Sequence, residues 1–229
     1  MEPDILAQRE PLFKGPWPVW TIAGVILGSY AVQSALLSDQ QALAYSLVPA
    51  QLARGDWLSL ITSIFIHGAW AHAGMNALGA LAFGAPASRY LGLGAKGGLG
   101  YILLFLACGV LAGLGYALLH LHDFTPTLGA SGAVSGLLGA STRLLDRRTQ
   151  LSPLATRTVV ASTAAWIVIN AVMGTLHYSP GLGDVNLNWE AHIIGYFAGL
   201  LLIGPVSFLF REPPRPEDES SDASIESGE

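Results

Sequence analysis

The chain has 229 residues, of which 52% are apolar and 12% are charged, about half the charged fraction of an ordinary soluble domain. The formal net charge of −5 comes from residues 211–229, because this stretch holds seven acidic and two basic side chains while residues 1–210 hold nine of each. The composition excludes an ordinary soluble domain. With no basic run longer than Arg147-Arg148, it also gives no sign of a nucleic-acid-binding surface.

Recurring apolar segments predict an all-α membrane protein, a polytopic bundle of six transmembrane helices. A bilayer core about 30 Å thick needs roughly 20 apolar residues per helix. Continuous runs rich in Leu, Ala and Gly predict helices rather than barrel strands, in which apolar and polar residues alternate. The predicted spans are residues 17–37, 71–88, 98–119, 131–145, 156–176 and 191–210.

The basic residues predict the orientation of these helices. Ten of the eleven Lys and Arg residues fall on one side of the predicted bundle and Arg54 falls on the other. Because basic residues collect on the cytoplasmic side, both termini are expected there, which fits a bacterial inner membrane and leaves organelle membranes open. The chain then divides into a cytoplasmic segment (1–16), a six-span domain (17–210) and an acidic cytoplasmic tail (211–229), which is expected to be disordered.

The fourth predicted span is unusually short. Residues 131–145 would form a helix of about 22 Å at 1.5 Å per residue, too short to cross a bilayer. The preceding residues 120–128 are polar and include Pro126. We therefore expect a short central helix whose N-terminus lies below the outer surface, at the end of a loop that lines a cavity. The long outer connection, residues 38–66, is expected to lie in the membrane interface.

The short helix opens with Gly129-Ala130-Ser131-Gly132. A helix start offers free backbone N–H groups and a partial positive charge, so a serine there has donors beside its own oxygen that suit an oxyanion. The alternative is an ordinary serine cap. The motif differs from the Gly-x-Ser-x-Gly elbow of soluble hydrolases because residue 133 is Ala.

A second candidate residue, His192, lies near the start of the sixth span. An ionisable side chain facing a bundle interior is a functional candidate, although an interfacial histidine bonded to a carbonyl is equally compatible with the sequence. Gly195 and Gly199 share one face of this helix, and Gly132 and Gly136 repeat the spacing on the fourth span. Small residues at this spacing allow close helix packing, which a Ser131–His192 hydrogen bond would require.

A third cluster lies near the outer end of the second span. His72 and Asn76 are four residues apart and therefore share a helical face; both can donate hydrogen bonds to an oxyanion together with the Ser131 N–H. His67 is expected to tie down the outer loop. A metal site is the alternative, but no carboxylate accompanies these residues and the His-Glu-x-x-His pattern is absent.

Taken together, these motifs resemble the rhomboid family of intramembrane serine proteases in its basic six-span bacterial form, over about residues 17–210. The resemblance implies that Ser131 is the nucleophile and His192 the general base, while His72, Asn76 and the Ser131 backbone form the oxyanion hole. It implies no metal and no other cofactor. The expected partners are the lipid bilayer and single-span or multi-span membrane protein substrates, and no nucleic acid.

Two positions depart from the family pattern. Ser59 stands where many members carry an Arg after Trp57, and Ser135 stands where many carry a Tyr that stacks on the histidine. No acidic residue is available in the predicted spans to orient His192, so a dyad rather than a triad is expected. Tyr196 is a candidate replacement for the missing ring.

Three other classes of protein share single features with this sequence. An aspartyl protease needs two carboxylates within the membrane, and Asp184 lies in a predicted loop with no partner. A transporter would fit six spans, but no repeat between the halves is visible. A non-catalytic scaffold that binds transmembrane helices remains the main alternative, although both Ser131 and His192 are present.

Overall fold

The computed structural model describes residues 15–52, 54–176 and 188–213. Over these residues the named elements are all helical, with one isolated bridge between Leu47 and Thr127. A 3₁₀ turn, Ser63–Phe65, follows α4. The α-helices are α1 (Trp17–Leu36), α2 (Asp39–Leu43), α3 (Pro49–Leu52), α4 (Ser59–Thr62), α5 (Trp70–Leu91), α6 (Ala95–Leu119), α7 (Ser131–Thr142), α8 (Arg157–Thr175) and α9 (Trp189–Phe210).

Four of the described helices are long and apolar enough to cross a membrane, namely α1, α6, α8 and α9. The other two segments that the sequence predicted as spans coincide with α5, which has 22 residues, and α7, which has 12. Helix α7 ends at Thr142 rather than at residue 145, because the chain turns through Arg143 and Leu144 and the Arg143 carbonyl accepts the Ser152 N–H.

Helix α7 lies at the centre of the bundle. Ten of its residues are buried, and it packs against α5, α6 and α9. The surrounding core is large and apolar, with Tyr101, Phe105, Leu137 and Ile203 fully buried. A short helix enclosed in this way can hold its N-terminal residues at depth, because the neighbouring helices shield its ends from lipid.

Helix α8 lies at the periphery of the bundle. Its buried residues are Val159 and Asn170, whereas Val168, Ile169 and Val172 on the same helix are about half exposed. Such an apolar outer surface is typical of a helix that faces lipid. The burial of an asparagine among these side chains therefore calls for a specific partner.

The outer connection between α1 and α5 folds into short helices. Leu47, Leu52 and Leu60 are buried against Ala117 of α6. Trp57 and Leu58 are 60% and 67% exposed, which is compatible with the predicted contact of this segment with the membrane interface.

The opposite end of the bundle is closed by residues just after α9. The Glu212 carboxylate accepts the backbone N–H groups of Gly94, Lys96 and Gly97, which open α6. Arg211 donates to the Thr149 carbonyl. Arg211 and Glu212 of the predicted disordered tail thus make defined contacts, while residues 214–229 and 1–14 lie outside the described part of the chain.

Candidate active site

Ser131 and His192 meet inside the bundle. Ser131 is the first residue of α7, where its Oγ lies 2.8 Å from Nε2 of His192, in the first turn of α9. The N-cap residue of α7 is Ala130, and no side chain caps this helix. The Ser131 hydroxyl therefore contacts the imidazole and is not the ordinary serine cap that was the alternative from the sequence.

The two helices approach closely because glycines face each other across their interface. A methyl group added at Gly195 would overlap the Gly132 carbonyl, and one added at Gly199 would overlap the Gly136 carbonyl. The backbones are therefore in direct contact, as in other small-residue helix pairs. This contact brings the first turns of α7 and α9 within hydrogen-bond distance of each other.

The far side of the His192 ring contacts Asn170 of α8. The Asn170 Oδ1 lies 3.0 Å from His192 Nδ1, and Asn170 Nδ2 donates to the Trp166 carbonyl at 2.9 Å. Sequence reasoning missed this residue. The available signal was an amide within an otherwise apolar predicted span, where polar side chains tend to be buried and paired.

His72 and Asn76 lie beside the start of α7, next to Gly129. Gly129 has a φ of +111°, and a methyl group there would lie 2.7 Å from His72 Nε2 and 3.5 Å from Asn76 Nδ2. Asn76 Nδ2 is buried and has no hydrogen-bond partner among the described residues. A buried donor without a partner is costly, so this amide is suited to a ligand that brings its own acceptor.

His67 lies behind His72 and is 1% exposed. Its backbone N–H and carbonyl are both bonded to the Gln33 side chain of α1, at 3.0 and 2.7 Å, and its ring meets the His72 ring edge-on with centroids 5.0 Å apart. Burial, together with the charge of His72, lowers the pKa of His67 to about 4. The His67 ring is therefore neutral at pH 7 and packs as an uncharged group.

A cavity of about 380 Å³ lies beside Ser131. Ser131, His192 and His72 line it, and its remaining lining residues include the loop before α7 (residues 126–129) and Asn188 before α9. A space of this size holds a short extended peptide segment or several waters. Within the described ranges, no group of three or more His, Cys, Asp or Glu side chains is arranged to hold a metal ion.

The positions that depart from the family pattern make local contacts instead. Ser135 Oγ donates to the Ser131 carbonyl at 2.8 Å, and Ser59 Oγ donates to the Asp56 carbonyl at 2.7 Å. Tyr196 does not fill the place of the absent ring: its ring stacks on Trp166, and its hydroxyl donates to Thr142. Asp184 lies outside the described residues.

Comparisons with known proteins identify the family of the chain. A family model described as the rhomboid domain matches residues 54–207, so the chain belongs to the rhomboid family, as the motif resemblance predicted. It is an integral membrane protein of that family.

Two relatives from Bacillus subtilis (strain 168) are named as proteases. "Rhomboid protease GluP" is 29% identical over 150 residues, which cover 65% of this chain and 26% of GluP. "Putative rhomboid protease YdcA" is 25% identical over 151 residues, covering 66% of this chain and 68% of YdcA. The match thus spans about a quarter of the length of GluP.

Proposed function

We propose that this protein is an intramembrane serine endopeptidase that cleaves transmembrane-helix substrates with a Ser131–His192 dyad. The observation that carries the proposal is the 2.8 Å contact between Ser131 Oγ and His192 Nε2 at the wall of a cavity. A nucleophile and a base within hydrogen-bond reach define covalent catalysis by serine. The protease names of the two relatives support the same reaction.

In the proposed reaction, His192 Nε2 takes the Ser131 proton as Oγ attacks the scissile carbonyl. The tetrahedral intermediate collapses when His192 returns that proton to the leaving amine, which leaves an acyl group on Oγ. A water molecule then gives a proton to His192 as it attacks the acyl carbon. The second tetrahedral intermediate collapses when His192 returns that proton to Ser131 Oγ, which releases the carboxylic acid product and restores the enzyme. No cofactor takes part in this sequence.

The negative oxygen of the intermediate would be held by donors that surround Gly129. The candidate donors are Asn76 Nδ2, the His72 ring and the backbone N–H groups at the start of α7, because these groups lie together beside Ser131. Donors fixed in advance stabilise charge that develops in the transition state. The unpartnered Asn76 amide supports this role most directly.

We propose a six-span topology in which α5 and α7 join α1, α6, α8 and α9 over residues 17–210. Both termini, residues 1–16 and 211–229, then lie in the cytoplasm of a bacterial cell and the cavity opens to the outer side of the inner membrane. Positive charge supports this orientation: Arg89, Lys96, Arg143, Arg157 and Arg211 lie at or beside the helix ends away from the cavity.

The substrate proposed for this site is a membrane-spanning segment that unwinds locally. Helical carbonyls are already bonded within the helix, so a scissile bond reaches Ser131 only from an extended stretch. Segments interrupted by Gly or other small residues should therefore be cleaved faster than uniform Leu helices. Equal cleavage of both would contradict this preference.

Cleavage in proteoliposomes tests the proposed function. The purified protein is incubated with a panel of single-span proteins, and Ser131→Ala and His192→Ala are compared with Ser34→Ala and His122→Ala, whose parent side chains are exposed. The proposal predicts cleavage by the wild type and both control variants and none by the two dyad variants. Binding of the panel without cleavage by the wild type would instead indicate a non-catalytic scaffold.

A further inference from the structure

We propose that Asn170 is a positioning residue that fixes the tautomer and ring orientation of His192. The inference rests on the proposed function for its consequence in catalysis, but the geometry that carries it is independent of any substrate. Asn170 projects from α8, a different helix from those that carry Ser131 and His192. It therefore adds a fourth helix to a site that the sequence predicted on three, and a third residue to the Ser131–His192 pair.

The orientation of the Asn170 amide follows from its second hydrogen bond. Its Nδ2 donates to the Trp166 carbonyl at 2.9 Å, one turn earlier on α8. A flipped amide would place Oδ1 against that carbonyl, and two acceptors would then face each other. The carbonyl of Trp166 thus selects the amide orientation in which Oδ1 faces His192.

The amide orientation in turn fixes the proton on the imidazole. Asn170 Oδ1 can only accept, so His192 Nδ1, 3.0 Å away, must donate. In the neutral ring the other nitrogen then carries a lone pair. That nitrogen is Nε2, which lies 2.8 Å from Ser131 Oγ and can accept its proton.

Burial makes this arrangement specific. Asn170 is 2% exposed, whereas its neighbour Ile169 is 50% exposed. A buried amide that loses its partner on an otherwise apolar helix is costly, so the bond to His192 also holds this part of α8 against the bundle.

Throughout the reaction, Asn170 Oδ1 would keep accepting the hydrogen bond from His192 Nδ1 and would take no proton, because the proton from Ser131 goes to His192 Nε2.

Two measurements test the proposal in the full-length protein. Nitrogen-15 NMR of imidazole-labelled protein, with His192→Gln used to assign the signal, should show His192 Nδ1 protonated and Nε2 unprotonated in the wild type at neutral pH. Asn170→Leu should shift the population toward Nε2–H. In cleavage assays it should lower kcat by roughly ten- to a hundredfold with little change in KM, since a misoriented base impairs the chemical step.

The matched controls separate positioning from structure. Asn170→Asp restores an acceptor and should recover most of the kcat lost in Asn170→Leu, whereas Val168→Ala, on an exposed part of the same helix, should resemble the wild type. If Asn170→Leu does not fold, the wild-type tautomer and the Asn170→Asp rate still decide the question.

A wild-type ring protonated at Nε2, an unchanged kcat in Asn170→Leu, or no more activity in folded Asn170→Asp than in Asn170→Leu would overturn the proposal. If the wild type cleaves no substrate, the proposed function fails. The NMR tautomer still tests the assignment of Asn170 in that case.

Discussion

Gly199 of α9 lies so close to the Gly136 carbonyl of α7 that no side chain fits between the two backbones. One turn nearer the cavity, Gly195 meets Gly132 in the same way. In most packed helix pairs, side chains at the interface keep the helix axes about 8–10 Å apart. Here the backbones themselves are in contact, and this contact sets the distance between Ser131 and His192.

Gly199→Ala tests this contact. The added methyl must push α7 and α9 apart, and overpacking of this kind typically costs about 1–3 kcal/mol of stability. We expect a lower thermal unfolding midpoint and at least tenfold less cleavage. Gly28→Ala in α1, where a methyl meets no atom within 4 Å, should match the wild type, and a Gly199→Ala variant with wild-type stability and activity would contradict the account.

Gly129→Ala tests the space in which the oxyanion is expected to sit. Its methyl would crowd His72 and Asn76, and its positive φ adds backbone strain of roughly 1–2 kcal/mol. Gly55 is a matched control because it has a φ of +102° but open space around it. We expect both alanine variants to lose stability and only Gly129→Ala to lose kcat, measured in the same cleavage assay. An equal loss of kcat in both would assign the effect to backbone strain alone.

Asn76→Ala removes the unpartnered amide donor. Loss of one oxyanion donor typically lowers kcat by about 10²–10³, and because the donor acts on the transition state, KM should change little. Stability should stay the same or rise, since the amide has no partner among the described residues that the substitution would orphan. Met75→Ala, on an exposed part of the same helix, is the control, and an Asn76→Ala enzyme with full kcat would remove this residue from the site.

The contacts of Glu212, at the end of the bundle away from the cavity, should make the free energy of unfolding depend on pH. Hydrogen bonds from the backbone N–H groups of Gly97 and Gly94 lower the pKa of this carboxyl. A carboxyl group whose pKa is lower in the folded than in the unfolded state stabilises the fold at pH values above its unfolded pKa, which is about 4.3 for Glu. This stabilisation is lost as the pH falls through the folded pKa.

Thermal unfolding of the wild type and Glu212→Gln from pH 7 down to pH 3 measures this contribution. We expect the variant to melt lower at neutral pH and the two curves to converge in acid. A difference that is constant across the range would show that the negative charge plays no part in the contact.

The positions of the helices could be read from the sequence because hydrophobic length is a local property. The start of α7 at Ser131 follows from the Gly-rich motif and the polar segment before it. Its end was predicted too late, since Leu144 and Leu145 extend the apolar run although the chain has already turned at Arg143. The family resemblance was recognisable for a related reason: it rests on short motifs, which lie within the residues that the family model covers.

The contacts of Asn170 and Glu212 could not be predicted in this way. An apolar helix such as α8 has little amphipathic pattern to indicate which face meets α9, so the partner of Asn170 is set by tertiary packing. Glu212 belongs to a stretch whose composition is typical of disorder, and its contact with the start of α6 depends on where α9 ends. Both residues are polar, and each bonds to a partner that is distant in the sequence, which a local sequence pattern does not indicate.

The most direct test of the central claim is to map the site of covalent labelling by a fluorophosphonate probe in the membrane-embedded protein. Mass spectrometry of the labelled peptides should place the adduct on Ser131, and His192→Ala should lower the labelling rate by about 10²-fold or more, because the hydroxyl then lacks its base. Ser135→Ala should keep the adduct on Ser131. An adduct on another serine, or labelling of Ser131 at the wild-type rate in His192→Ala, would contradict the proposed dyad.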